Sequence, residues 1–235
     1  MTAYPNAGGG FPAVPPRRHK TLRAVLPWIA FALFVVGFLT ARLRDTRTDS
    51  GYPPWLPGAG AEVPDYVREN FLTVNKYSRP GDYLRKIDGV VIHYVGNPGS
   101  TANANRNYFE SLSDGRLGVY ASSHFIVGLE GETVQCVPLT EIAYASNNRN
   151  RDTVSIEVCH PDAGGKFNDA TYQRVVELSG WLCRTFDLDP SQDVIRHYDV
   201  SGKLCPLYYV EHPEAWEALR GDIAAVKARP AAEGE

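Results

Sequence analysis

Near the C-terminal end of the chain, Arg196-His197-Tyr198-Asp199-Val200-Ser201-Gly202-Lys203-Leu204-Cys205-Pro206 sets a histidine and a cysteine eight residues apart, with a lysine between them. Imidazole and thiolate are preferred ligands of zinc. Gly202 and Pro206 punctuate the stretch, so it reads as a loop rather than a helix or strand. A loop can turn both side chains toward one ion. Two ligands do not make a site, so another part of the chain must supply at least a third.

Of the six histidines, His19 lies in a basic cluster and His212 stands just before the last helix, at the surface. His93, His124, His160 and His197 remain. A histidine in a strand is ordinarily a satisfied core group. His93 differs because it ends the run Gly89-Val90-Val91-Ile92-His93-Tyr94-Val95, just before the breaker Gly96-Asn97-Pro98-Gly99. Ligands of open α/β sheets gather at strand ends. His93, His197 and Cys205 would give three protein ligands and one open position, the pattern of catalytic rather than structural zinc.

Glu157 lies among Val154, Ile156 and Val158. A carboxylate there costs several kcal/mol unless a partner satisfies it. Either an arginine pairs with it, or it is a general base of raised pKa beside the metal. Lys203 could face a developing oxyanion or simply be solvated. If Cys205 is a ligand, Cys136, Cys159 and Cys183 form an odd set. One disulfide is possible, and Cys159 and Cys183 also suit the core. A cysteine hydrolase built on Cys159-His160 is disfavoured, because adjacent strand residues point to opposite faces.

The elements that must position these groups follow from periodicity and punctuation. Residues 89–95 read as a buried strand, apolar on both faces. Ser100 or Thr101 can cap a helix running to about Leu112. His124 to Gly128 and Thr133 to Val137 read as a hairpin turning at Glu130-Gly131. Val154 to Cys159 is a further strand. Asn168 or Asp169 can cap a long helix with Tyr172, Val175, Val176, Ser179, Leu182, Cys183 and Phe186 on its core face. Asp193-Val194-Ile195 is a short strand, and Pro213 starts a last helix with Trp216, Leu219, Ile223 and Val226 inward. Strands interleaved with helices predict an α/β fold: a central mixed sheet flanked by helices.

The chain of 235 residues is 43% hydrophobic and 22% charged, enough for one medium domain with appendages. Residues 1–23 read as a disordered tail ending in the basic cluster Arg17, Arg18, His19, Lys20 and Arg23. Residues 24–41 carry no charge and would span roughly 27 Å as a helix, close to a bilayer core. A buried core helix or a cleaved signal peptide are the alternatives, but Thr40-Ala41-Arg42 is a poor cleavage site. An uncleaved transmembrane helix is expected. The denser basic cluster before it predicts a single-pass cell-membrane protein with a cytoplasmic N-terminus and an extracytoplasmic domain. Residues 42–64 read as a Pro/Gly-rich linker, residues 65–229 as the catalytic domain and residues 230–235 as a tail. Of the charges, six Lys/Arg and one Asp fall in residues 1–45, leaving 18 Lys/Arg against 26 Asp/Glu, a net −8, beyond them. An acidic domain is a poor nucleic-acid partner.

Four segments together resemble the zinc-dependent N-acetylmuramoyl-L-alanine amidases of the phage-lysozyme and peptidoglycan-recognition-protein superfamily. They are Val91-Ile92-His93-Tyr94, the hairpin from Ser122-Ser123-His124-Phe125 to Gln135-Cys136-Val137-Pro138, Val154 to Cys159, and His197 to Pro206. The resemblance covers about Asn75 to Ala228. It implies a mixed sheet packed with helices, a Zn2+ ion held by His93, His197 and Cys205, Glu157 as catalytic base, and Lys203 as a catalytic partner matching phage-type members. His124 matches a family histidine that orients the site rather than binding metal. Ser123 stands where some relatives carry a catalytic tyrosine, so that role is vacant or filled elsewhere. The implied activity is hydrolysis of the amide between N-acetylmuramic acid and L-alanine in peptidoglycan, by a monomer. The alternative is a non-catalytic peptidoglycan receptor, although such binders typically lose the cysteine ligand that this chain keeps.

Overall fold

Residues 51–229 are described by the structure, a computed structural model. The expected N-terminal tail, the expected anchor at 24–41, the start of the expected linker and the tail at 230–235 lie outside the described residues. Among the described residues, no helix is long and apolar enough to cross a membrane.

In chain order the elements are β1 (Val67–Glu69), β2 (Val90–Tyr94), α1 (Ala102–Ser111), β3 (Phe125–Val127), β4 (Thr133–Gln135), β5 (Val154–Val158), α2 (Asp169–Thr185), β6 (Val194–Arg196), α3 (His197–Ser201), α4 (Leu207–Glu211) and α5 (Pro213–Lys227). Short 3-10 turns occupy Leu112–Asp114 and Asn147–Arg151. The strands form one sheet in the order β1-β4-β3-β5-β2-β6. The β3–β4 hairpin is antiparallel and every other pairing is parallel. The sheet is therefore mixed, as the interleaved pattern predicts.

Strand alternation divides the sheet chemically. Val90 and Ile92 of β2, Phe125 and Val127 of β3, and Val154, Ile156 and Val158 of β5 face one apolar layer with α2 and α5. There they meet Val175, Leu178 and Leu182 of α2 and Leu219 and Ile223 of α5. The two helices approach closely: a Cβ added at Gly180 would lie 2.5 Å from Val226 Cγ1. The opposite face packs Ile126, Val134 and Cys136 against Ala102 and Phe109 of α1. It also carries His93 and Glu157, which are register partners on the parallel strands β2 and β5. Their side chains therefore leave the sheet side by side.

The caps follow local chemistry. Thr101 Oγ1 accepts from Ala104 N at 3.2 Å, and Asn168 Oδ1 accepts from Thr171 N at 2.9 Å, each satisfying an otherwise orphaned helix donor. Pro213 opens α5 in its first turn.

The His197–Pro206 stretch corrects the expectation of a plain loop. Its first half is the helix α3, begun by Asp199 Oδ2 accepting from Arg196 N at 2.8 Å. Gly202 ends it with φ 75°, the left-handed conformation that glycine adopts without Cβ strain. The stretch read as a spacer also holds onto the domain. Leu56 is buried, and Tyr52 Oη donates to Glu141 Oε1 at 2.6 Å. Glu141 is in turn clasped by Arg79 through Nε at 2.7 Å and Nη2 at 2.8 Å.

Candidate active site

The three parallel strands β5, β2 and β6 are neighbours, so their C-terminal ends share one edge of the sheet. His93 sits near the end of β2, Glu157 near the end of β5, and His197 directly after β6. Cys205 returns to them after the α3 turn, where its carbonyl accepts from Tyr198 N at 2.9 Å. Arg196 braces this return: its guanidinium pairs with Asp199 at 2.7 Å and donates to Tyr209 O at 3.0 Å.

The ligand atoms of His93, His197 and Cys205 all lie within 4.8 Å of one another. Cys205 Sγ is 3.9 Å from His93 Nδ1, and the two imidazole rings are 4.6 Å apart. Two atoms bound to one tetrahedral zinc at ordinary Zn–S and Zn–N lengths stand roughly 3.6 Å apart. Both nitrogens of His197 are buried without a hydrogen-bond partner. Burial, then the charges of His197 and Lys203, holds His93 well below the usual histidine pKa; burial, then Lys203, also lowers that of His197. Neutral imidazole is the ligating form. Burial pushes the Cys205 thiol up to about 12, so only a nearby cation would draw out its thiolate. Orphaned nitrogens, converging donors and a two-nitrogen, one-sulfur set all fit zinc.

Beside this cluster, Glu157 Oε1 lies 4.0 Å from His93 Nδ1, while Oε2 is buried with no partner. Burial raises its pKa to about 8, with Lys203 pulling the other way. Among the described residues it makes no ion pair with an arginine, which removes the structural alternative. Lys203 is exposed at the rim and lines the same cleft, a cavity of about 510 Å³, with all three ligand residues and Glu157. All five candidate residues thus meet in one place.

The remaining candidates separate cleanly. His124 is buried and does not line the cleft. Ser155 N donates to its Nδ1 at 3.0 Å, which leaves Nε2 to donate to Glu141 O at 2.9 Å. Ser123 is buried and donates to Phe125 O at 2.9 Å, so it offers nothing to the cleft. Tyr120 and Tyr144 line the cleft instead. Cys159 is buried with its thiol pushed up to about 12, and it bonds Asn105 rather than His160. His160 Nδ1 meets Asp162 O at 2.6 Å. All four cysteines are free and buried, so no disulfide forms.

Sequence reasoning missed Ser146 and Asn150. Ser146 Oγ is 3.2 Å from His93 Nε2 and holds the ring from behind, leaving Nδ1 toward the cluster. Asn150 Oδ1 fixes that turn by accepting from Ala145 N at 3.1 Å and Ser146 N at 2.5 Å. A serine 53 residues from its histidine carries no periodic or motif signal.

Fold and site define an α/β domain with a candidate catalytic metal centre at the C-terminal ends of its parallel strands. The family profile described as N-acetylmuramoyl-L-alanine amidase matches residues 83–207, a span holding the whole site, and the chain belongs to that family. Its relatives include the N-acetylmuramoyl-L-alanine amidase BlyA of Bacillus subtilis (strain 168), 31% identical over 176 residues, covering 66% of this chain and 46% of the relative. The N-acetylmuramoyl-L-alanine amidase CwlL of Bacillus licheniformis is 32% identical over 169 residues, covering 67% of this chain and 46% of the relative. The chain thus spans about half the length of the curated relatives it matches. Among solved structures, the catalytic domain of XlyA shares the fold with a TM-score of 0.56 and 24% identity, over 67% of this chain and 99% of that one. The PlyG catalytic domain does so with a TM-score of 0.58 and 21% identity, over 72% and 98%.

Proposed function

We propose that this chain hydrolyses the amide joining N-acetylmuramic acid to L-alanine in peptidoglycan, with zinc held by His93, His197 and Cys205. The observation that carries the reading is the convergence of three metal-ligand side chains on one another, beside the Glu157 carboxyl group, one oxygen of which is buried without a partner. Membership of the amidase family supports the choice of bond.

When bound, zinc supplies Lewis-acid chemistry, acidifying water and polarising a carbonyl. Glu157 receives the proton of the attacking water; burial raises its affinity for that proton. The water oxygen bonds to the lactyl carbonyl carbon. Lys203, at the rim, faces the negative charge that grows on the carbonyl oxygen. Glu157 returns its proton to the amide nitrogen as the C–N bond breaks. The products are a muramic acid carboxylate and a free L-alanine amine.

The proposal places the domain outside the cell membrane, tethered as a monomer by residues 24–41. The uncharged run and its flanking basic cluster support this topology. Mass spectrometry of fragments released from purified peptidoglycan tests the reaction: free muramic acid ends and new L-alanine N-termini are expected. Cys205→Ala should lose both zinc and hydrolysis. A wild-type protein that binds peptidoglycan but releases no such ends would instead be a receptor.

A further inference from the structure

The cleft is lined by two unlike sets of side chains. One is polar: Asn147, Asn150 and the cationic rim residue Lys203. The other is aromatic: Tyr120, Tyr144 and, from α1, Tyr108. Beyond the lining residues the aromatic set extends to Tyr77 as a row of rings. Tyr144 and Tyr120 meet edge to face with centroids 5.7 Å apart, and Tyr120 and Tyr77 are 5.1 Å apart.

These rings do different jobs. Tyr77 is a fixed wedge. Its carbonyl accepts from Ala121 N at 3.1 Å, and a Cβ at Gly115 would come within 2.6 Å of its ring. Tyr120 is anchored at its edge by the two neighbouring rings, yet it remains 48% exposed; Tyr108 is 46% exposed and Leu117 63%. Exposed rings grouped at the mouth of a cleft, and held rigid by packing, are the usual mark of a recognition surface. Lys76 Nζ, 6.0 Å from the Tyr120 centroid, adds a cation beside them.

We infer that the row Tyr77–Tyr120–Tyr144 is a saccharide-binding wall that seats the glycan strand of the substrate, with Tyr120 as its principal contact. The inference rests on the proposed reaction for the identity of the strand. The scissile bond joins a sugar to a peptide, so the substrate leaves the metal cluster in two chemically different directions. A pyranose ring presents apolar C–H faces and hydroxyl edges, which match tyrosine rings and their hydroxyl groups. A peptide presents amides and carboxylates, which match the asparagines and Lys203. Sugar recognition also explains why aromatic surface stays exposed here although the opposite sheet face buries its apolar residues completely. The wall would make the enzyme select for the carbohydrate half of its substrate, not only for the stem peptide.

The test titrates the full chain with peptide-free glycan strands by calorimetry, in wild type, Tyr120→Ala and Tyr120→Phe. Hydrolysis of intact peptidoglycan is followed in parallel. Strands should bind wild type and Tyr120→Phe alike and Tyr120→Ala about tenfold more weakly, since only the last loses the ring. KM for peptidoglycan should rise by a similar factor in Tyr120→Ala while kcat holds, with an unchanged melting temperature. Strands that bind wild type and Tyr120→Ala equally, or bind neither, overturn the wall. Wild type that binds strands yet releases no L-alanine N-termini overturns the hydrolysis reading and leaves the wall standing. Hydrolysis without strand binding does the reverse.

Discussion

Acid should loosen the domain through His124. This imidazole is 1% exposed, and its two nitrogens bridge Ser155 N to Glu141 O. Burial lowers its pKa from 6.5 to about 4, with the Glu141 carbonyl and charge opposing. Between those values the unfolded chain takes up a proton that the folded chain refuses. The neutral imidazole's contribution is therefore complete above pH 6.5 and is lost as pH falls through about 4. At 1.36 kcal/mol per pKa unit, the loss is about 3 kcal/mol. The assay is urea unfolding of wild type and His124→Gln at a series of pH values from 7 to 4. At pH 7 the variant should be less stable by about 2 kcal/mol, having lost buried hydrogen bonds. The Arg79–Glu141 pair is present in both proteins, and its coupling to His124 is the last and smallest cause acting on either group. The difference should then shift by about 3 kcal/mol as the pH falls to 4, changing sign so that the variant ends about 1 kcal/mol the more stable. A gap that stays constant across the range would refute the claim that His124 is held neutral by burial.

Three substitutions probe other links. Glu157→Gln keeps the shape but cannot accept a proton, so zinc should stay bound by elemental analysis while peptidoglycan hydrolysis drops by about 10²–10⁴-fold. Ser146→Ala removes the group behind His93 Nε2, and competition with a chelator should show zinc affinity weakened about 10–100-fold with the fold intact. Gly180→Ala forces a Cβ against Val226, and urea unfolding should report a loss of about 1–3 kcal/mol, with zinc affinity unchanged because the α2–α5 seam lies on the other face of the sheet.

What could be read without coordinates was what period and punctuation encode. The β2 and β5 runs are short and apolar, so His93 stands out as a polar exception at a strand end and Glu157 as a carboxylate inside an apolar strand. Asn168 and Pro213 announced α2 and α5. Elements below the length at which a period is visible stayed hidden. α3 has five residues closed by Gly202, and the same glycine that caps it made the stretch read as a loop. β1 has three residues with only Val67 buried, and α4 follows a proline that signals a break. Contacts between distant segments were equally silent. The Ser146–His93 bond and the Tyr77–Tyr120–Tyr144 row join residues far apart in sequence that only the folded chain brings together. Side-chain chemistry placed the reacting groups; the groups that orient them emerge only from topology.

That topology leaves the site energetically incomplete, and the deficit is measurable. Glu157 Oε2 and both nitrogens of His197 are buried without partners, and each such group destabilises the fold by about 1–3 kcal/mol. The apolar layer on the opposite face, where Val90, Ile92, Val154 and Ile156 are fully buried, offsets this. An ion that engages His197 would relieve part of it and would bind only the folded chain. At a free zinc concentration about 1,000-fold above Kd, linkage gives about 4 kcal/mol of added stability. For a domain of this size that corresponds to a rise of about 8–16 °C in Tm. Thermal melts with added zinc and with a chelator should differ by that amount in wild type and should coincide in Cys205→Ala, which keeps the fold but lacks the third ligand. Wild-type melts that superimpose would mean that the three side chains form an ordinary buried polar cluster, and the zinc reading would fall without any appeal to activity.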